Sequence, residues 1–222
     1  MQSVNAVADG ANANPKLREV RLWPRFREHL NTSEVLVDKA RTLAPFLCKS
    51  VHRESELLIQ RLRERNKFVL DPQLWPVFLE QTFFLVHYLD RLSLVLLRAQ
   101  RNSIFLDRVM LELAEFLAGA YADEDDARRF RKLFPEWCTE RQKQYGKYKR
   151  MLPDLDDSPS ETLFWEFERT LAGSMGLHED PSVMSVIDQS VMSLIEVLNL
   201  GELITGQATP VEYVTNQSRK LT

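Results

Sequence analysis

The sequence predicts an all-α protein: a single-domain bundle of about seven helices around a central apolar helix. Three observations carry that expectation. The chain has only 7 glycines in 222 residues, too few for the turns a β-rich fold of this size needs. Apolar residues recur at steps of three and four, as in Phe105, Val109, Leu113, Phe116 and Ala120. Three helix starts are written as a capping residue followed by proline: Asp71-Pro72, Ser158-Pro159 and Asp180-Pro181. Proline at the first helical position has no N–H to leave unsatisfied, so the pair marks a start rather than a break.

Taken in order, residues 1–14 form a polar arm with no periodic apolar face, 15–205 the helical domain and 206–222 a tail without an amphipathic stripe. The arm lacks the charged and apolar regions of a secretory signal. A first helix is expected from Pro15 to Leu30, bent at Pro24. The next begins near Ser33 and is expected to split at Pro45, with its second part reaching Asn66. A long apolar helix follows from Pro72 to about Gln100, and another from Ser103 to about Tyr121. The run from Asp123 to Met151 is expected to break at Pro135. Ser158 with Glu161 makes a capping box for a helix reaching Met175. The last helix runs from Pro181 to about Leu200, with Gly201 as its stop and Met184, Ile187, Val191, Leu194 and Leu198 on its inner face.

The helix from Leu74 to Leu97 is apolar almost all the way round, so it belongs in a bundle centre or in lipid. Glu80, His87, Asp90 and Arg91 lie within it and no second long apolar run accompanies it, which argues against a membrane span. At about 100° per residue, Gln73, Glu80, His87, Arg91 and Arg98 share one stripe. That polar seam is expected to reach solvent or a water-lined gap. Asp90 departs from it, among aliphatic residues, and needs a cationic or hydroxyl donor.

Composition limits function more than it names it. A formal charge of −3 gives no support to a dedicated nucleic-acid binder. Cys48 and Cys138 form no CxxC pair and read as buried free thiols, which fits a reducing, cytoplasmic compartment. There is no glycine-rich phosphate loop and no G-x-S-x-G elbow. The expected function is therefore that of a soluble binding or regulatory protein, with a protein partner or self-association as a homo-oligomer. No cofactor is expected. The broad apolar circumference of several helices could also line a ligand pocket.

Two groups of residues carry more specific alternatives. His52 and Glu56 stand at i, i+4, and His87 and Asp90 at i, i+3, spacings that can share a divalent metal; with Glu80 as a further candidate they support the alternative of a metal-binding bundle or a metal-dependent enzyme. Glu80 and His87 are about 10 Å apart along the helix axis, too far to share a single ion. A structural ion pair or hydrogen-bonded histidine explains the same residues without a metal. The second group lies in Ala127–Met151, which interleaves nine Lys or Arg with five aromatics between acidic runs. Arg141, Lys143, Lys147 and Lys149 are its candidate contacts for a partner or polyanion. The flanking acids also allow a plain solvated face, with aromatics packed inward and charges paired locally.

Overall fold

In the computed structural model the described residues are 33–65, 67, 69–70, 73–97, 99–120, 123–152, 159–177, 180–205 and 207. The arm, the expected helix at Pro15–Leu30, the tail beyond 207 and the Asp71-Pro72 start lie outside them. Among the described residues the fold is all-α, with helices α1 (Ser33–Glu64), α2 (Leu74–Leu97), α3 (Ala99–Ala118), α4 (Glu124–Tyr145), α5 (Leu163–Ser174), α6 (Pro181–Leu198) and α7 (Leu200–Thr205).

Helix α1 shows why a proline need not end a helix. It runs unbroken through Pro45, against the expected split. Proline removes one hydrogen bond and costs about 3 kcal/mol or more in a helix interior. Here the same buried stripe continues on both sides of it: Leu36, Ala40, Leu43, Leu47, Val51, Leu58 and Leu62. Truncating one such leucine to alanine costs about 2–5 kcal/mol, so the combined burial outweighs one lost bond. Helix α4 likewise passes through Pro135, with Phe130, Phe134 and Cys138 buried on either side.

The other boundaries follow from capping. Asp123 caps α4 by accepting from the backbone N–H of Asp125 at 2.7 Å and of Asp126 at 3.2 Å. Asp180 accepts from Ser182 N–H at 2.8 Å and starts α6 as expected, with Pro181 in the first turn. The start near Ser158 is corrected. Pro159–Glu161 form a 3₁₀ turn, and the cap of α5 is Thr162, whose hydroxyl accepts from Trp165 N–H at 3.3 Å. The stop of α6 is corrected too. Asn199 takes the left-handed conformation (φ 37°, ψ 54°) that asparagine tolerates, and Gly201 sits inside α7. Finally, α3 begins at Ala99 rather than Ser103.

Helix α2 packs against α1, α3, α4, α5 and α7, while α1 also lies along α3 and α6. Phe84 sits fully buried where α2 meets α4 and α5. Its ring is edge-on to Tyr145 and Phe164 and lies 4.2 Å, centroid to centroid, from Phe167. At the far end, Lys39 of α1 donates to the Ile204 carbonyl of α7 at 2.7 Å, tying the two termini of the described bundle together.

The face of α3 is not buried along its whole length. Phe105, Val109 and Leu113 are in the core, but Phe116 is 41% exposed and Ala120 is exposed as well. The periodicity placed both inside. They stand instead at an opening between α1, α2 and α3.

Candidate functional site

The middle of the polar seam of α2 is buried, while Gln73 and Arg91 are half-buried. Glu80 and His87 are 3% and 4% exposed. Gln73 donates to the Met175 carbonyl at the end of α5, at 2.5 Å. Glu80 receives the Tyr145 hydroxyl on one oxygen and the Arg141 guanidinium on the other, the latter at 2.8 Å. Burial pushes the Glu80 carboxyl up, and these two donors pull it back without reversing the shift. Next to it, Arg141 donates to Gln144, and Gln144 donates to Glu166 at 2.8 Å. Burial also raises Glu166, but donors from Gln144, Arg169 and Tyr148 outweigh it and hold the carboxyl below its usual range.

His87 completes this cluster as a neutral group. Arg91 donates through Nε to His87 Nε2 at 2.9 Å, which places the imidazole proton on Nδ1. Nδ1 is buried with no hydrogen-bond partner among the described residues. Burial, then the Arg91 charge, push the His87 pKa down to about 4. The rest of the Arg91 fork reaches the backbone carbonyls of Tyr148, Lys149 and Tyr145 just past α4. The Tyr145 carbonyl also accepts from Tyr148 N–H at 3.1 Å, and a cation is favoured at such a helix end.

The expected metal residues are therefore dispersed among other partners. His52 and Glu56 form an exposed pair at 3.7 Å on α1. Asp90 is half-buried rather than buried. Its donor is the Asn102 amide at 2.6 Å, not the cation or hydroxyl expected, and Asn102 in turn meets Ser93. Among the described residues no three His, Cys, Asp or Glu gather as an ion would need. The basic segment is only partly occupied. Arg141 points into the bundle at Glu80, Lys143 pairs with Glu140 at 3.5 Å, and Lys147 and Lys149 are exposed beyond the helix end. Phe130, Phe134 and Tyr145 are buried.

The opening between α1, α2 and α3 is a cavity of about 540 Å³. Its walls come from one turn of each helix. Leu74, Trp75 and Phe78 belong to the start of α2, Phe116 and Leu117 to the end of α3, and Ala120 to the turn just past it. Helix α1 supplies Cys48 at the floor and Lys49, His52 and Arg53 at the rim. The site forms because α1 crosses both partners here with its apolar stripe facing the gap and its next residues facing solvent. Trp75 stacks on Phe78 at 5.3 Å, and His52 meets the same phenylalanine edge-on at 6.0 Å. Cys48 adds no charge, since burial pushes its thiol up to about 12. Periodicity did not reveal the cavity, because Phe116 and Ala120 fit the pattern of a buried stripe. The available signal was the run Lys49, His52, Arg53 bordering that stripe.

Among the described residues one run, Pro181–Thr205, is long and apolar enough to cross a membrane by length and composition. This corrects the expectation that no second long apolar run exists. Its Val183, Ile187, Val191 and Leu194 are buried, as in a helix packed on α1 and α5. No protein-family model matches the chain, and no curated protein or solved structure matches it.

Proposed function

We propose that this chain is a binding protein whose small-molecule ligand occupies the cavity between α1, α2 and α3. The observation that carries the reading is the cavity itself: about 540 Å³, walled by aromatic and aliphatic side chains, with Trp75 and Phe116 left 38% and 41% exposed at its mouth. That volume falls within the roughly 300–1,000 Å³ of small-ligand sites, which are mostly apolar with a few polar groups fixing orientation. Exposed aromatics that border a concavity favour an occupant that removes them from water.

The test is a titration with Nile red, a neutral dye that fluoresces in apolar surroundings. The expected result is saturable binding, lost in Ala120→Trp, where an exposed alanine on the cavity wall is replaced by a ring that fills the space. The melting temperature of that variant should stay within about 2 °C of the parent, since surface positions contribute little. Absence of saturable binding, or binding unchanged in Ala120→Trp, overturns the reading.

A further inference from the structure

We infer that the ligand of this cavity is a linear amphiphile, an apolar chain ending in a carboxylate, with the chain inside and the anion at the α1 rim. The inference rests on the cavity being a binding site and goes on to its chemistry. Polar and apolar groups are segregated along its depth. The floor and walls offer Cys48, Leu74, Phe78 and Leu117, none of which carries a charge at neutral pH. The cations stand together on one side, where Lys49 and Arg53 are one helical turn apart and both exposed.

These two cations are uncommitted. Among the described residues neither forms an ion pair, whereas His52 between them is held by Glu56 at 3.7 Å. Like charges at i, i+4 repel, so an anion seated between Lys49 and Arg53 removes a repulsion as well as adding two attractions. The sign is local, because the whole chain carries −3. A sugar or nucleotide would need polar partners deep in the wall, and a neutral lipid would make no use of the rim. A single anionic head on an apolar chain uses both.

The experiment compares three ten-carbon probes, decanoate, decanol and decyltrimethylammonium, on the full chain by calorimetry at low salt. Two rim contacts of the partly exposed kind are each worth a factor of roughly 1.5 to 5, so decanoate is expected to bind about 2- to 25-fold more tightly than decanol, and decyltrimethylammonium, which both cations repel, more weakly than decanol. Lengthening the carboxylate by one methylene should tighten binding by about fourfold while the cavity still has room. The double variant Lys49→Glu/Arg53→Glu should reverse the preference between the charged probes. Lys49→Gln/Arg53→Gln should abolish the preference without reversing it, and serves equally if the charge reversal does not fold. Raising the salt to 0.5 M should shrink the preference. If Nile red binds but the two charged probes bind alike, or if neither double variant alters their ratio, the amphiphile inference is overturned while the cavity remains a binding site. If no probe and no dye binds, both readings fall.

Discussion

Tyr145 donates its phenolic O–H to Glu80, 65 positions earlier in the chain, and both side chains are buried. The bond joins α2 to the last turn of α4. It leaves the second carboxylate oxygen to Arg141, which approaches from the same helix as Tyr145. Neither group would be stable at that depth alone. A buried carboxylate without donors costs several kcal/mol, and a buried phenol without an acceptor costs about 1–3 kcal/mol. Each satisfies the other, and the pairing fixes the rotation of α4 against α2.

The two donors to Glu80 should differ in weight. Arg141→Met removes the charge and leaves burial opposed by Tyr145 alone, so the carboxyl either takes up a proton or stays ionised at a cost. The expected loss is about 2–3 kcal/mol, below the 3–5 of a fully buried pair because the Arg141 side chain is one-third exposed. Tyr145→Phe removes one neutral donor and should cost about 1–2 kcal/mol. Urea unfolding at neutral pH measures both. An Arg141→Met variant within about 0.5 kcal/mol of the parent would show that the pair does not hold α2 to α4.

His87 gives the acid limb of the stability profile. Its pKa is depressed to about 4 in the folded chain, chiefly by burial, against an unfolded value near 6.5. Between those values the unfolded chain binds more protons, so stability rises with pH there. The contribution is complete above pH 6.5 and is lost as pH falls through 4. The expected contribution is about 1–2 kcal/mol, allowing for the half-buried Arg91 beside it. Replacing the imidazole by a group that does not titrate, in His87→Gln, should flatten the stability curve between pH 7 and 4 by that amount. Chemical unfolding at pH 7, 5.5 and 4 makes the comparison, with the carboxylates common to both proteins. Parallel curves would mean that His87 charges without penalty.

These two sites also show how far the sequence reached. Gln73, Glu80, His87 and Arg91 share one face of α2, as their spacing required, because the helical period alone decides that. What covers the face was not legible. Tyr145 and Tyr148 lie more than fifty residues away, and nothing local in α2 says that α4 ends over it. Its middle therefore read as solvent-facing, whereas Glu80 and His87 are buried. The prolines failed for a related reason: residue type shows that a bond is lost at Pro45 and Pro135, while the compensation is tertiary burial on both sides. Caps were legible where donor and acceptor are neighbours, as at Asp180, and misplaced where a 3₁₀ turn intervened before Thr162. A ligand pocket was expected but its place was not, because helical periodicity separates inner from outer faces without revealing where three inner faces fail to meet.

The alkaline limb should belong to Glu168. Its carboxyl is pushed up to about 8, first by burial, then by the charge of Asp188 and a hydrogen bond shared with it. Glu168 lies on α5 and Asp188 on α6, so the interaction that raises the Glu168 carboxyl runs between the two helices. The sign is opposite to that of His87. The folded chain holds the Glu168 proton more tightly than the unfolded one, whose carboxyl titrates near 4.5. Stability from this source is fully present below pH 4.5, declines as pH rises and is gone once pH passes about 8. Above that pH two carboxylates face each other. Glu168→Gln keeps a hydrogen-bond donor toward Asp188 at every pH and carries no charge. It should be close to the parent at pH 4.5 and more stable than the parent at pH 8.5, by about 1–2 kcal/mol after allowance for the exposed side of the pair. Urea midpoints of both proteins at the two pH values measure the difference. A gain of equal size at both would assign the effect to amide packing, and no gain at pH 8.5 would show that the Glu168 carboxyl is not raised in the folded chain.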